Sequence, residues 1–364
     1  MRFLNKVVRT TSEGIELEAD PRHAELVVKD LGLESAKVSM VPGSKEDQKS
    51  APARPDKQEI AGTRARISVE DCIDSVQVAR ESAGGETWQA DVLHGQVIDD
   101  NDNDELLDNE DARLYRWVAA RLHYIAPDRP DISYAVKESA SSMSAPRRGD
   151  LRRLKKIGRY LIGHPRLISK FKWQSMPTTV TTFTDSDWAG CARSAKSTST
   201  SGGAVCLGEH VLKTYCRQQK VIALSSAEAE LYAMVTASAE TLAMAVYARD
   251  LGLDLKCELY CDSVAALGIA QRAGIGKVRH LRTQGLGVQE VRVSGRIIYR
   301  KLLGTKNPAD LMTKHMSAEL AKSHLGILNM QLTGGRAESA PTLDAVTPTS
   351  KDGTTATATQ PTMR

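Results

Sequence analysis

Apolar and polar positions change their period several times along this chain, and each change marks an element. Near the N-terminus FLNKVVRT and IELEAD flank TSEG, the pattern of a hairpin turning at Ser12–Gly14. DPRHAELVVKDLGL then takes helical spacing. Asp20 stands at the N-cap, Pro21 in the first turn and Gly32 just past the end. A chain that opens at once in a strand is expected to be a piece of a longer product. Periodicity then weakens. SKEDQKSAPARPDKQ has linker composition, and DDNDNDELLDNED at 99–111 is an acidic run, expected to be a solvated or disordered connector.

Helical spacing returns in LYRWVAARLHYIA and DISYAVKESASSM, separated by Pro127 and Pro130. In DLRRLKKIGRYLIG, Leu151, Leu154, Ile157 and Leu161 form one apolar face, and Arg152, Arg153, Lys155, Lys156 and Arg159 fill the rest. That basic face fits a solvated surface as well as a ridge facing phosphate. From residue 176 onward the pattern is richest. TTVTTFTDSDW is strand-like in its β-branched content, and SGGAVCLG with HVLKTYC predicts a hairpin around Gly208–Glu209. A long helix over SSAEAELYAMVTASAETLAMAVYARDLG follows, then strand CELYCD, helix SVAALGIAQRAG and a Gly-interrupted helix in HLRTQGLGVQEVRVSG. Strand RIIYRKL and a final helix NPADLMTKHM complete a mixed-sheet α/β domain. The expected segments are 1–45, 46–111, 112–175, 176–316 and 317–364, the last largely a disordered tail because 331–364 is rich in Thr, Ala, Ser and Pro.

Composition narrows the function less than pattern does. The net charge of +4 over 364 residues permits nucleic-acid binding without arguing for it. No Cys-x-x-Cys occurs among the six cysteines, so reduced thiols in an intracellular protein are expected, in cytoplasm or nucleus. No apolar run approaches the ~20 residues of a bilayer span, and no membrane partner is expected.

Asp185, Glu230, Asp262 and Asp310 sit at predicted element ends, where a scaffold can aim them into one pocket. Carboxylates gathered so closely repel unless cations neutralise them. Oxygen donors suit Mg²⁺ or Mn²⁺, and two ions about 3.5–4 Å apart could promote phosphodiester hydrolysis. Each residue also has a purely local explanation. Asp185 could end a strand, with Asp187 on the same side. Asp262 could cap a helix, and Asp310 falls where a helix dipole favours an acid, after Asn307 and Pro308. Ser225 and Glu228 fit a capping box, and Glu230 lies about 200° further round the helix than Glu228.

FTDSDWAGC, STSTSGG, SSAEAEL, LYCDS and KNPADLMTK, in that order, resemble the successive motifs of the ribonuclease H domain of copia-type retrotransposon Pol polyproteins. YRWVAARLHYIAPDRPDISYAV resembles the connection that precedes it, and MRFLNKVV through MVPG the end of the reverse transcriptase palm and its thumb. The resemblance implies a five-stranded mixed sheet flanked by helices, preceded by a mainly helical thumb and connection region. It also implies cleavage of the RNA strand of RNA–DNA hybrids, with Asp185, Glu230, Asp262 and Asp310 as ligands of two Mg²⁺ or Mn²⁺ ions. Hybrid, and other parts of such a polyprotein, are the expected partners, with Arg152, Arg153, Lys156, Lys277, Arg279 and His280 as candidate nucleic-acid contacts. A polymerase aspartate pair upstream of the thumb is absent from this sequence, and Asp99–Asp100 lie on the wrong side of that segment, inside the acidic run. The loop LLGTKNPAD also lacks the histidine that cellular ribonucleases H carry before the last aspartate. A catalytically inactive relic or a nucleic-acid-binding module is the rival expectation, and another nuclease or integrase of the same fold class is a third.

Overall fold

The computed structural model describes residues 2–3, 5–44, 105–190, 198–272, 274 and 282–342. Residues 1–65 and 95–341 make one compact unit, and a second, 66–94 with 342–364, lies outside the described residues apart from Thr342.

Strands β1 (Arg2–Phe3), β2 (Lys6–Thr10) and β3 (Gly14–Glu18) run antiparallel. Gly14, at the expected turn, is required by a close approach: a Cβ there would lie 2.1 Å from the Phe171 carbonyl oxygen. Helix α1 (Pro21–Asp30) starts on Asp20, whose carboxylate accepts from the Arg22 N–H at 3.0 Å. Helix α2 (Asn109–Ile125) begins inside the acidic run, which corrects the expectation of a connector through 111. Asp108 caps it by accepting from the Asp111 N–H at 2.8 Å. Glu110 and Asp111 occupy its first turn, where the helix dipole favours carboxylates. Residues 99–104 of that run lie outside the described residues. Helices α3 (Pro130–Ala140) and α4 (Arg148–Gly163) follow. Val27, Tyr115, Leu122 and Ile132 pack with Leu154, Ile157 and Leu161 into one core, so the apolar face read from α4 points inward.

This region is not simply helical. After α4 the chain enters β4 (Arg166–Lys172), which pairs antiparallel with β3. The periodicity of RLISKFK is obscured by its lysines, and its partner lies far away in sequence, so no local signal announces it.

The second sheet contains β5 (Thr179–Asp187), β6 (Thr200–Leu207) and β7 (His210–Gln218). Helix α5 (Ser226–Asp250) leads to β8 (Lys256–Cys261), and α6 (Val264–Gln271) and α7 (Arg282–Val293) lead to β9 (Ile298–Lys301). The order is β7-β6-β5-β8-β9, with β5, β6 and β7 antiparallel and β5, β8 and β9 parallel. This is a five-stranded mixed sheet flanked by helices, the architecture that the motifs implied. Among the described residues α5 is long and apolar enough to cross a membrane by length and composition. That departs from the expectation of no such run, because many alanines, each only modestly apolar, together lift the mean hydropathy of the helix. Here α5 packs Leu231, Met234 and Ala237 against Cys257, Leu259 and Cys261 of β8.

NPADLMTKHM forms a short 3₁₀ segment, Pro308–Met312, in place of an α-helix. The chain then continues as helix α8 (Ala318–Ile327) and strand β10 (Met330–Thr333), which pairs with β4. The disordered tail expected from 317 is therefore corrected over this stretch. Leu325, Leu328 and Met330 bury against Leu311 and Met312, so the 3₁₀ segment has a packed apolar floor. Residues 343–364 lie outside the described residues.

Candidate metal centre

Asp185 is carried by β5, near the point where that strand leaves its pairing with β6. Its register partner is Gly202, and a Cβ at Gly202 would meet the Thr313 Cγ2 at 2.6 Å and the Met312 Cβ at 2.8 Å. The missing side chain lets the 3₁₀ segment lie directly on β6. Asn307 fixes the same segment from the other end. Its Nδ2 donates to the Thr184 carbonyl at 2.9 Å, and its Oδ1 accepts from the Ala309 N–H at 3.2 Å. Asp310 is thereby brought beside Asp185, and the Thr313 hydroxyl donates to Asp185 Oδ2.

Glu230 reaches the same place from α5. Its Oε1 accepts from the Ser186 N–H at 3.2 Å, and its Oε2 stands 3.8 Å from the Cys261 Sγ. Glu228 is occupied elsewhere, as the capping box predicts. Its N–H donates to Ser225 Oγ at 3.2 Å, and its carboxylate accepts from the Leu224 N–H at 2.8 Å and the Tyr232 hydroxyl at 3.1 Å. Asp262 is free of capping, because Ser263 takes the cap of α6 and accepts from the Ala266 N–H at 3.2 Å. Glu230, Cys261 and Asp262 each offer one ligand atom, all within 4.8 Å of one another.

The electrostatics follow from this crowding. Asp185, Glu230 and Asp310 are 2%, 8% and 7% exposed. Burial, opposed by Lys314 and helped by Asp310 and Asp262, holds Asp185 up at about 7. Burial, with Asp185 and Asp262 adding to it, holds Glu230 up at about 8. Asp310 is raised for the same first reason. The Lys314 Nζ lies 3.0 Å from Asp310 Oδ1 and 3.6 Å from Asp185 Oδ2. Burial works against its charge, but the three aspartates outweigh burial and raise its pKa. Burial likewise pushes the Cys261 thiol up, so it enters the site as a neutral S–H.

Sequence reasoning brought out the four carboxylates and missed Thr313 and Lys314. Lys314 had a signal, since it stands four residues after Asp310, the spacing of a helical ion pair. Asp187 accepts from the Tyr134 hydroxyl of α3 at 3.2 Å and lies close enough to feel the charges of Asp185 and Lys314. Two of the candidate nucleic-acid contacts are engaged internally. Arg153 donates to Asp150 Oδ1 at 2.8 Å, and the Lys156 Nζ to Ser44 Oγ at 3.0 Å. Arg152 is exposed, and Lys277, Arg279 and His280 lie outside the described residues.

No protein-family profile matches the chain. It is 35% identical over 158 residues to the retrovirus-related Pol polyprotein from transposon RE1 of Arabidopsis thaliana, a match covering 43% of this chain and 11% of that protein. The corresponding polyprotein from transposon TNT 1-94 of Nicotiana tabacum is 26% identical over 220 residues, covering 58% of this chain and 16% of that protein. Among solved structures, LC11-RNase H1, isolated from compost by a metagenomic approach, is 15% identical with a TM-score of 0.31, over 37% of this chain and 93% of that one. The chain thus spans a small part of the length of the polyproteins it matches. Over those stretches the chain is similar to a segment of transposon Pol polyproteins, the resemblance its motifs implied.

Proposed function

We propose that this chain hydrolyses the RNA strand of RNA–DNA hybrids, with two divalent cations, Mg²⁺ or Mn²⁺, held by Asp185, Glu230, Asp262 and Asp310. The observation that carries the reading is the meeting of three buried carboxylates and the half-buried Asp262, each from a separate element, beside Lys314. A cluster built that way is costly unless a cation completes it. The donor set fits such an ion. All four side chains offer oxygen, and the buried Asp310 Oδ1 faces the Lys314 ammonium at 3.0 Å, a position a cation already favours. Bound there, divalent cations would supply an activated water and stabilise the leaving oxygen.

The protein's own groups set the geometry. The Ser186 N–H orients Glu230, and Thr313 orients Asp185. Asn307 anchors the segment that carries Asp310. Cys261 and the packed core beneath it keep water from the Glu230 side. Hybrid would be read through backbone shape and 2′-hydroxyls, with exposed Arg152 adding salt-dependent affinity. Other parts of a Pol polyprotein and an intracellular setting, in cytoplasm or nucleus, belong to the same proposal. The test is cleavage of labelled hybrid, single-stranded RNA and duplex DNA in Mg²⁺. Cutting confined to the RNA of the hybrid and lost in Asp185→Asn is expected. Equally blank results for wild type and variant, with no metal bound, would favour an inactive relic.

A further inference from the structure

Among the described residues at this site, Lys314 is neither a proposed ligand nor a group that orients one, and its position is specific. The 3₁₀ segment turns the backbone so that the Lys314 N–H donates to the Asp310 carbonyl at 3.2 Å. The side chain is thereby returned over the carboxylate of the same residue, with Nζ 3.0 Å from Asp310 Oδ1. It also stands 3.6 Å from Asp185 Oδ2. Nearby lysines serve other partners: the Lys301 Nζ donates to the Asp262 backbone carbonyl, and the Lys137 Nζ to Thr200 Oγ1 at 2.8 Å and to Glu138.

We propose that Lys314 is a built-in counter-ion of the carboxylate cluster, which a divalent cation must displace from Asp185 and Asp310 in order to bind there. This rests on the reading of the cluster as a cation site. An ammonium and a divalent ion compete for the same oxygen lone pairs, and like charges so close to each other repel strongly. The two partners differ in freedom. Asp185 and Asp310 are buried and fixed by β5 and the 3₁₀ segment, whereas the Lys314 side chain is 38% exposed on a flexible stem. Displacement therefore moves the lysine into solvent, where water satisfies it, and leaves the carboxylates in place. The lysine holds the empty cluster together and makes cation binding weaker than the carboxylates alone would allow. By linkage, the cation weakens the lysine's hold on the aspartates by the same factor.

The test is calorimetric titration of the full chain with Mg²⁺, in mildly alkaline buffer so that carboxylate protonation does not compete. Wild type, Lys314→Gln and the charge-retaining Lys314→Arg are compared, with far-UV circular dichroism to verify the fold. Binding on the order of tenfold tighter in Lys314→Gln, with Lys314→Arg close to wild type, is the expected result. Equal affinity in all three would overturn the counter-ion role while leaving the proposed function intact. Absence of binding in all three folded proteins would overturn the cation site itself.

Discussion

Arg129 and Asp131 are as deeply buried as Asp185 and Glu230, yet the two groups are built differently. At the start of α3 the charges are of opposite sign and every donor has a target. The Arg129 guanidinium grips Asp131 with two bonds, of 2.9 and 2.7 Å. It also donates to the carbonyls of Pro165 at 3.3 Å and His164 at 2.8 Å, while the Tyr160 hydroxyl donates to Asp131 at 3.0 Å. At the end of β5 carboxylates gather, and among the described residues the half-exposed Lys314 is the cation paired with them. The first arrangement is complete within the protein and serves as scaffold. The second, on the proposed reading, would be completed by a positive ion from outside, and that difference is what distinguishes a candidate site from scaffold.

Substitutions should therefore act in opposite senses. The largest expected effect is on cleavage in Asp185→Asn, which removes a ligand whose ion is worth several kcal/mol at the transition state, a loss on the order of a thousandfold or more. The metal-free variant should be no less stable than wild type in urea, because a repelling carboxylate has been neutralised. Asp131→Ala sharpens the contrast. It leaves Arg129 buried without its partner, and a loss of about 3–5 kcal/mol is expected in urea unfolding. A loss under roughly 1 kcal/mol would place that pair among surface-like bridges.

A pH series tests the same difference at smaller amplitude. Asp185 stays protonated up to about 7 and Glu230 up to about 8 in the folded state. In the unfolded chain both release protons near pH 4. Between those limits the folded state binds more protons than the unfolded, so this contribution makes metal-free stability fall as pH rises from about 4 to about 8. Unfolding midpoints across that range should show the slope, and Asp185→Asn should flatten it. The smallest effect is expected at Tyr134→Phe. Losing the hydroxyl that holds Asp187 should lower stability by about 1 kcal/mol and cleavage only a few-fold, since Tyr134 bonds to Asp187 and to none of the four proposed ligands.

Local signals carried much of this structure. The hairpin at Ser12–Gly14, the Asp20 cap, the inward face of α4 and the exclusion of Glu228 by its capping role are all legible from spacing and side-chain chemistry. What escaped depends on contacts distant in sequence. Strand β4 is defined by β3 and β10 on its two sides, and β10 is only four residues long. The same long-range packing turned an expected tail into the support of Asp310. Gly202 stands in a serine- and glycine-rich motif, but its reason is the 3₁₀ segment lying against it. At the site the carboxylates were legible because their residue types and order carry the chemistry. Lys314 and Thr313 were not, because their roles arise from how one turn folds back on β5.

The most direct test of the central claim is anomalous diffraction from crystals soaked in Mn²⁺. Density is expected among Asp185, Glu230, Asp262 and Asp310, with the Lys314 ammonium drawn away from the aspartates. Ordered carboxylates with no manganese among them, at concentrations that saturate cleavage, would contradict it.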